Sequence, residues 1–134
     1  MRSCLGCGKQ LTKRSQKVYC SMDCGQSHRR VVLTAEWLRS GNAVAASRRD
    51  HYIRRYLLDA QDGCCEICGI VEEWNDQPLV FVLDHIDGDA ANNHRDNLRM
   101  VCPNCDSQLP TFKSRNRGKG RHFRRERYAN GQSY

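Results

Sequence analysis

Long apolar runs are missing from this 134-residue chain. Nowhere do roughly 18 apolar residues follow one another, so no membrane partner or helical span is expected. The opening MRSCLGCGKQ holds no apolar stretch of signal-peptide length, which points to a soluble protein of the cytoplasm. Aromatic residues are scarce, at 7% within a hydrophobic fraction of 39%, which is thin for a core that must hold itself together alone. The length suits one compact domain or two very small ones. Acidic residues are nearly absent from the ends. Residues 1–30 carry seven Lys/Arg and one acid, and residues 113–134 carry eight and one. Residues 61–112 reverse the balance, with two bases and ten acids. Basic ends attract a polyanion without regard to sequence, whereas an acidic middle repels one unless its carboxylates hold cations. A solvated charged surface would account for either end taken alone.

Cysteine is what the chain has in excess. In a reducing compartment paired thiols are read as metal ligands before disulfides. CLGC and CSMDC supply Cys4, Cys7, Cys20 and Cys24, a spacing that closes a four-thiolate zinc site around a hairpin decorated by Lys9, Lys13, Arg14 and Lys17. CEIC and CPNC supply Cys65, Cys68, Cys102 and Cys105 for a second. Cys64 is left over, as a small core residue or as a substitute for Cys65. Two structural Zn²⁺ ions are thus expected. Four thiolates leave no open position for water, so zinc explains how a thin core survives rather than what the protein does.

Between the frameworks the chain reads as helical. In SRRDHYIRRYLLDAQDG the positions Tyr52, Ile53, Tyr56, Leu57 and Ala60 share one helical face, and Gly63 is the stop. LTAEWLRSG predicts a shorter helix capped by Thr34 and ended by Gly41, with Trp37 and Leu38 packing. PLVFVL predicts a strand starting at Pro78, and NLRMV a second that alternates Leu98 and Met100 with Asn97 and Arg99. The polar loop between them is longer than a hairpin needs. The tail KSRNRGKGRHFRRERYANGQSY reads as a basic arm.

Between Cys68 and Cys102 lie 33 residues, more than a zinc ribbon requires, and they contain LDHIDGD. A strand that ends in Asp84 and His85 points them to opposite sides, so one can bind a cation while the other faces a substrate. A neutral imidazole that is not a ligand can deprotonate water. If the CPNC knuckle packs on the strand pair, Asp84 and Asp106 can share one divalent ion. Asp87 and Asp89 miss the EF-hand pattern and are read as turn formers. His94 lies in the loop as an exposed residue or a phosphate or metal contact, and His28, His51 and His122 are read as surface residues.

LDHIDGD, NNHRDNLRMVCPNC and the following SQ and KSRN together resemble the zinc-knuckle branch of the HNH nucleases, over residues 64 to about 117. The CLGC to CSMDC segment resembles the small zinc fingers attached to some phage and bacterial members. The resemblance implies a ββα-metal core in which His85 is the general base, Asp84 ligates the catalytic divalent cation, and Asn97 fixes the loop and orients the base. The family's third motif usually has His where this chain has Asp106. An all-oxygen pair favours Mg²⁺ or Mn²⁺ over a transition-metal ion; loss of activity is the competing consequence.

The fold class expected is a small α+β zinc-stabilised protein. Its parts are a finger (1–30), a helical connector (31–62), an HNH core (63–117) and a basic arm (118–134). The function expected is metal-dependent hydrolysis of DNA phosphodiesters. Lys9, Lys13, Arg14, Lys17, Arg54, Arg55, Arg115, Arg117 and Lys119 would bring DNA to the acids. Arg99 and Lys113 would be phosphate contacts or ordinary salt-bridge partners. A dimer would serve double-strand cleavage. The alternatives are a non-catalytic DNA-binding module and an adaptor of a phage or bacterial DNA-processing machine.

Overall fold

The computed structural model describes residues 1–43 and 51–113. Helix α1 (Met22–Ser40) and helix α2 (Tyr52–Ala60) precede a hairpin of β1 (Glu73–Trp74) and β2 (Gln77–Pro78). Strands β3 (Val82–His85) and β4 (Leu98–Val101) and the short helix α3 (Pro103–Ser107) follow. The architecture is α+β, with two small antiparallel sheets.

α1 starts twelve residues before the expected Thr34. Its N-cap is Ser21, whose hydroxyl accepts from the Cys24 amide, so the last finger thiol lies in the first turn of the helix. Thr34 is internal and donates its hydroxyl hydrogen to the Arg30 carbonyl. The C-terminus is as expected: Gly41 adopts φ 76° and its amide returns to the Trp37 carbonyl. Trp37 is fully buried, but Leu38 is exposed. α2 buries Tyr52, Ile53 and Leu57, while Ala60 lies on the solvent side. His51 is the N-cap of α2, accepting from the Ile53 amide, and stacks on Tyr52.

The run PLVFVL is not one strand. Asn75 and Asp76 adopt positive φ (50° and 58°), turning the chain tightly so that Trp74 pairs with Gln77 and Glu73 with Pro78. β3 begins only at Val82. It pairs with β4 in the register Val82–Val101, Leu83–Met100, Asp84–Arg99 and His85–Leu98. β4 buries Leu98, Met100 and Val101. On its other side the Gln61 amide bonds the backbone of Met100 in both directions, a side chain standing in for a strand.

The core joins Trp37, Ile53, Leu57, Phe81, Leu98, Met100 and Val101 to the thiols of Cys65, Cys102 and Cys105. Three of the expected metal ligands are therefore part of the hydrophobic core. Cys64 is not: it is half-exposed, with its thiol toward the Asp62 carbonyl. No described helix is long and apolar enough to cross a membrane.

Candidate active site and metal centres

Cys4, Cys7, Cys20 and Cys24 bring their sulfurs within 4.8 Å of one another, and so do Cys65, Cys68, Cys102 and Cys105. Within the quartets, Sγ–Sγ distances are 3.5 Å for Cys4–Cys24 and 3.7 Å for both Cys7–Cys20 and Cys68–Cys102. A tetrahedron with Zn–S bonds of about 2.3 Å has edges of about 3.8 Å, whereas a disulfide needs about 2.05 Å. Each quartet thus has the dimensions to hold zinc.

Backbone amides prepare one thiolate in each. Burial disfavours charge on Cys4, but hydrogen bonds from the amides of Cys20, Cys7 and Gly6 outweigh it and bring the thiol to about 6. Cys65 is likewise opposed by burial and brought to about 6 by the amides of Cys68, Cys102 and Ile67. Cys24 is pushed up to about 12, chiefly by its hydrogen bond to Cys4, and Cys105 to about 12, chiefly by burial. Four thiolates at one point repel each other, and a divalent cation is what lets all four ionise. At the finger, Gly6 packs so closely on the Cys24 sulfur that a Cβ would come to 2.8 Å.

β3 carries Asp84 and His85 to its end. Asp84 is 7% exposed, and its Oδ2 accepts from Arg99 Nε at 2.8 Å, directly across the ladder. Arg99 is therefore already engaged by a carboxylate. α3 packs on β3 and brings up Asp106. Burial raises the Asp106 pKa, the charge of Asp84 raises it further, and Lys113 pulls the other way. Asp84 and Asp106 thus feel one another as like charges. A pair of carboxylates with hard oxygen donors fits a divalent cation such as Mg²⁺ or Mn²⁺.

His85 is half-buried, and its Nε2 lies 2.9 Å from Asn93 Oδ1. An amide oxygen only accepts, so Nε2 is the nitrogen that donates here. Asn97, at the end of the 3-10 turn Arg95–Asn97, holds the loop. Its Nδ2 donates to Asp87 Oδ1 and to the Asn92 carbonyl, both at 2.9 Å, and its Oδ1 accepts from the Asp87 amide at 3.0 Å. Asp87 in turn accepts from the Asp89 amide and Asn92 Nδ2. Burial would raise the Asp87 pKa, but these bonds outweigh it and hold the carboxyl below its ordinary range. Asp87 and Asp89 behave as turn formers, Asp89 capping the Ala91 amide.

Of the basic residues, Lys9, Lys13, Arg14, Lys17 and Arg55 are exposed. Arg54 instead turns inward to donate to the Phe81 carbonyl, beside a hollow of about 300 Å³ that contains none of Asp84, His85 or Asp106. Lys113 lies 4.9 Å over the Phe112 ring. Arg115, Arg117, Lys119 and His122 lie outside the described residues. His28 is half-buried and bonds the Tyr19 hydroxyl at 3.1 Å.

The order of parts is now two antiparallel strands, a short helix, an Asp-His strand end, an Asn-braced loop and a four-cysteine knuckle beneath them. Among curated proteins the chain is similar to an H-N-H endonuclease of Escherichia phage T5, F-TflIV, with 36% identity over 84 residues. Over that stretch the chain is similar to an HNH endonuclease. The match covers 63% of this chain and 36% of the phage protein, so the chain spans well under half the length of that relative. No family model matches the chain, and no solved structure matches it. The fold brings Asp84, His85 and Asp106 to the β3 end, with Asn97 in the loop that follows. Sequence reasoning missed Asn93, whose signal is only its place in the NNH triplet four residues before Asn97.

Proposed function

We propose that the protein is a metal-dependent DNA endonuclease, with 1–30 as finger, 31–62 as connector, 63–117 as nuclease core and 118–134 as basic arm. The observation that carries the reading is the meeting of Asp84 and Asp106, coupled through their charges, beside His85, whose Nε2 is held by Asn93. His85 Nδ1 takes a proton from water. The water oxygen bonds to phosphorus as the bond from phosphorus to the leaving oxygen breaks, and the leaving oxygen takes a proton from solvent. A divalent cation held by Asp84 and Asp106 would stabilise negative charge on the scissile phosphate. Asn97 keeps the loop in shape through Asp87 and Asn92.

The exposed Lys9, Lys13, Arg14, Lys17 and Arg55 supply sequence-independent attraction to DNA, reinforced by Arg115, Arg117 and Lys119 of the arm. Lys113, whose charge acts on Asp106, meets the phosphate. Arg99 is paired with Asp84, and would be released toward phosphate where that carboxylate held a cation. The zinc quartets, Cys4, Cys7, Cys20 and Cys24 with Cys65, Cys68, Cys102 and Cys105, serve structure. The protein works in the cytoplasm of a bacterial or phage-infected cell, singly as a nickase or as a dimer cutting both strands.

A second reading, a DNA-binding module without catalysis, is favoured by Asp106 standing at the third motif and by the Arg99–Asp84 pair. Supercoiled plasmid incubated with Mg²⁺, Mn²⁺ or neither separates the two. The nuclease relaxes or linearises the plasmid only with added cation, and Asp106→Ala abolishes this. Salt-sensitive binding without cleavage in either ion would establish the module.

A further inference from the structure

α1 carries the finger at one end and grips the His85 loop at the other. Near its C-terminus the Trp37 indole, fully buried, donates from Nε1 to the Asn93 carbonyl at 2.6 Å. The side chain of the same Asn93 holds Nε2 of His85 at 2.9 Å. One turn on, Gly41 approaches the neighbouring His94 so closely that a Cβ would lie 2.3 Å from its Nδ1. Asn93 and His94 are thus held between the last turn of α1 and the imidazole.

We propose that Trp37 and Asn93 are positioning residues. Trp37 fixes the backbone of Asn93, Asn93 fixes the ring of His85 with Nδ1 presented to water, and the finger-bearing helix thereby sets the geometry of the base. The proposal rests on the nuclease reading of His85. Asn97 cannot do this work, because its amide is committed to Asp87 and Asn92. A buried indole bond is not exchanged for water, and a second hydrogen bond from its acceptor residue removes the imidazole's freedom to rotate about its ring axis. Bases tolerate only about 10–20° of misorientation before rate is lost. A 19-residue helix is a rigid strut of about 28 Å. Finger and base are therefore parts of one rigid element, and DNA held on the finger is held at a set distance from His85.

Full-length, zinc-loaded protein is compared with Trp37→Phe, Asn93→Ala and the double variant. Trp37→Phe keeps an aromatic ring and removes only the donor, so it reports even if Asn93→Ala folds poorly. In plasmid cleavage with Mg²⁺, Trp37→Phe lowers kcat about tenfold and Asn93→Ala lowers it further, with KM unchanged. The double variant is no slower than Asn93→Ala, because the two act in series. In ¹H–¹⁵N spectra without DNA or Mg²⁺, the His85 Nε2–H is protected from exchange in the wild type. It exchanges faster in Trp37→Phe and is lost in Asn93→Ala. Wild-type kcat in Trp37→Phe, additive effects in the double variant, or an unprotected ring proton in the wild type would each overturn the proposal. An inert wild type whose ring proton still responds to both substitutions would instead sink the nuclease reading and leave the Trp37–Asn93–His85 connection standing.

Discussion

Asp106 occupies a position that costs the metal-free protein stability. Burial and the charge of Asp84 make its carboxyl hold a proton more tightly in the folded chain than in the unfolded one. Such a group subtracts stability once it is ionised in both states. Stability without divalent cation therefore falls as pH rises from the ordinary carboxylate range through the higher folded-state value. At pH 7 without added cation, Asp106→Asn raises Tm by about 1–3 °C, since it removes the repulsion and keeps the shape. Added Mg²⁺ raises the wild-type Tm and leaves that of the variant unchanged, which scanning calorimetry on zinc-loaded protein will show. The same balance explains why Asp84 is tolerated at 7% exposure: Arg99 compensates it.

Helix α1 shows where local pattern ends and tertiary context begins. Its C-terminal half was legible because Trp37 offers a packing residue and Gly41 follows as a stop. Its N-terminal half was not, because residues 22–32 are largely polar and Val31 and Val32 face solvent. Ser21, the actual cap, was hidden inside a motif read only for its thiols. The strand PLVFVL failed for the opposite reason: an unbroken apolar run concealed the break between β2, which ends at Pro78, and β3, which starts at Val82. Gly41 links helix to loop, and Gly41→Ala must place a side chain at φ 76° against the His94 ring. Left-handed backbone alone costs about 1–2 kcal/mol and the collision adds to it, so urea unfolding will show a loss of about 2 kcal/mol or more.

At the scale of the whole molecule, metal is expected to replace missing apolar mass. The eight thiols were legible from spacing, since a knuckle is a local code. Asn93 was not, because its role depends on a tryptophan 56 residues away. The pairing of Asp84 with Arg99 was equally hidden until β3 and β4 were in register. Cys65, Cys102 and Cys105 are buried in the main core, whereas Cys7 is exposed at the finger. Elemental analysis should find two zinc ions per chain. Cys105→Ser reduces this to one and abolishes the native near-ultraviolet signal of buried Trp37, because structural zinc contributes about 10–16 kcal/mol where it organises a fold. Cys7→Ser also reduces the count to one, but leaves the core around Trp37 and β4 folded.

The central claim is that His85 at the end of β3 activates water beside a cation on Asp84 and Asp106. Its most direct test is the single-turnover rate of plasmid cleavage by wild type and His85→Ala, with Mg²⁺ or Mn²⁺. The account predicts cleavage only with added cation and a rate about 10²–10⁴-fold lower in the variant, at unchanged DNA affinity and zinc content. Equal rates for the two proteins, or a wild type inert in both ions, would contradict it.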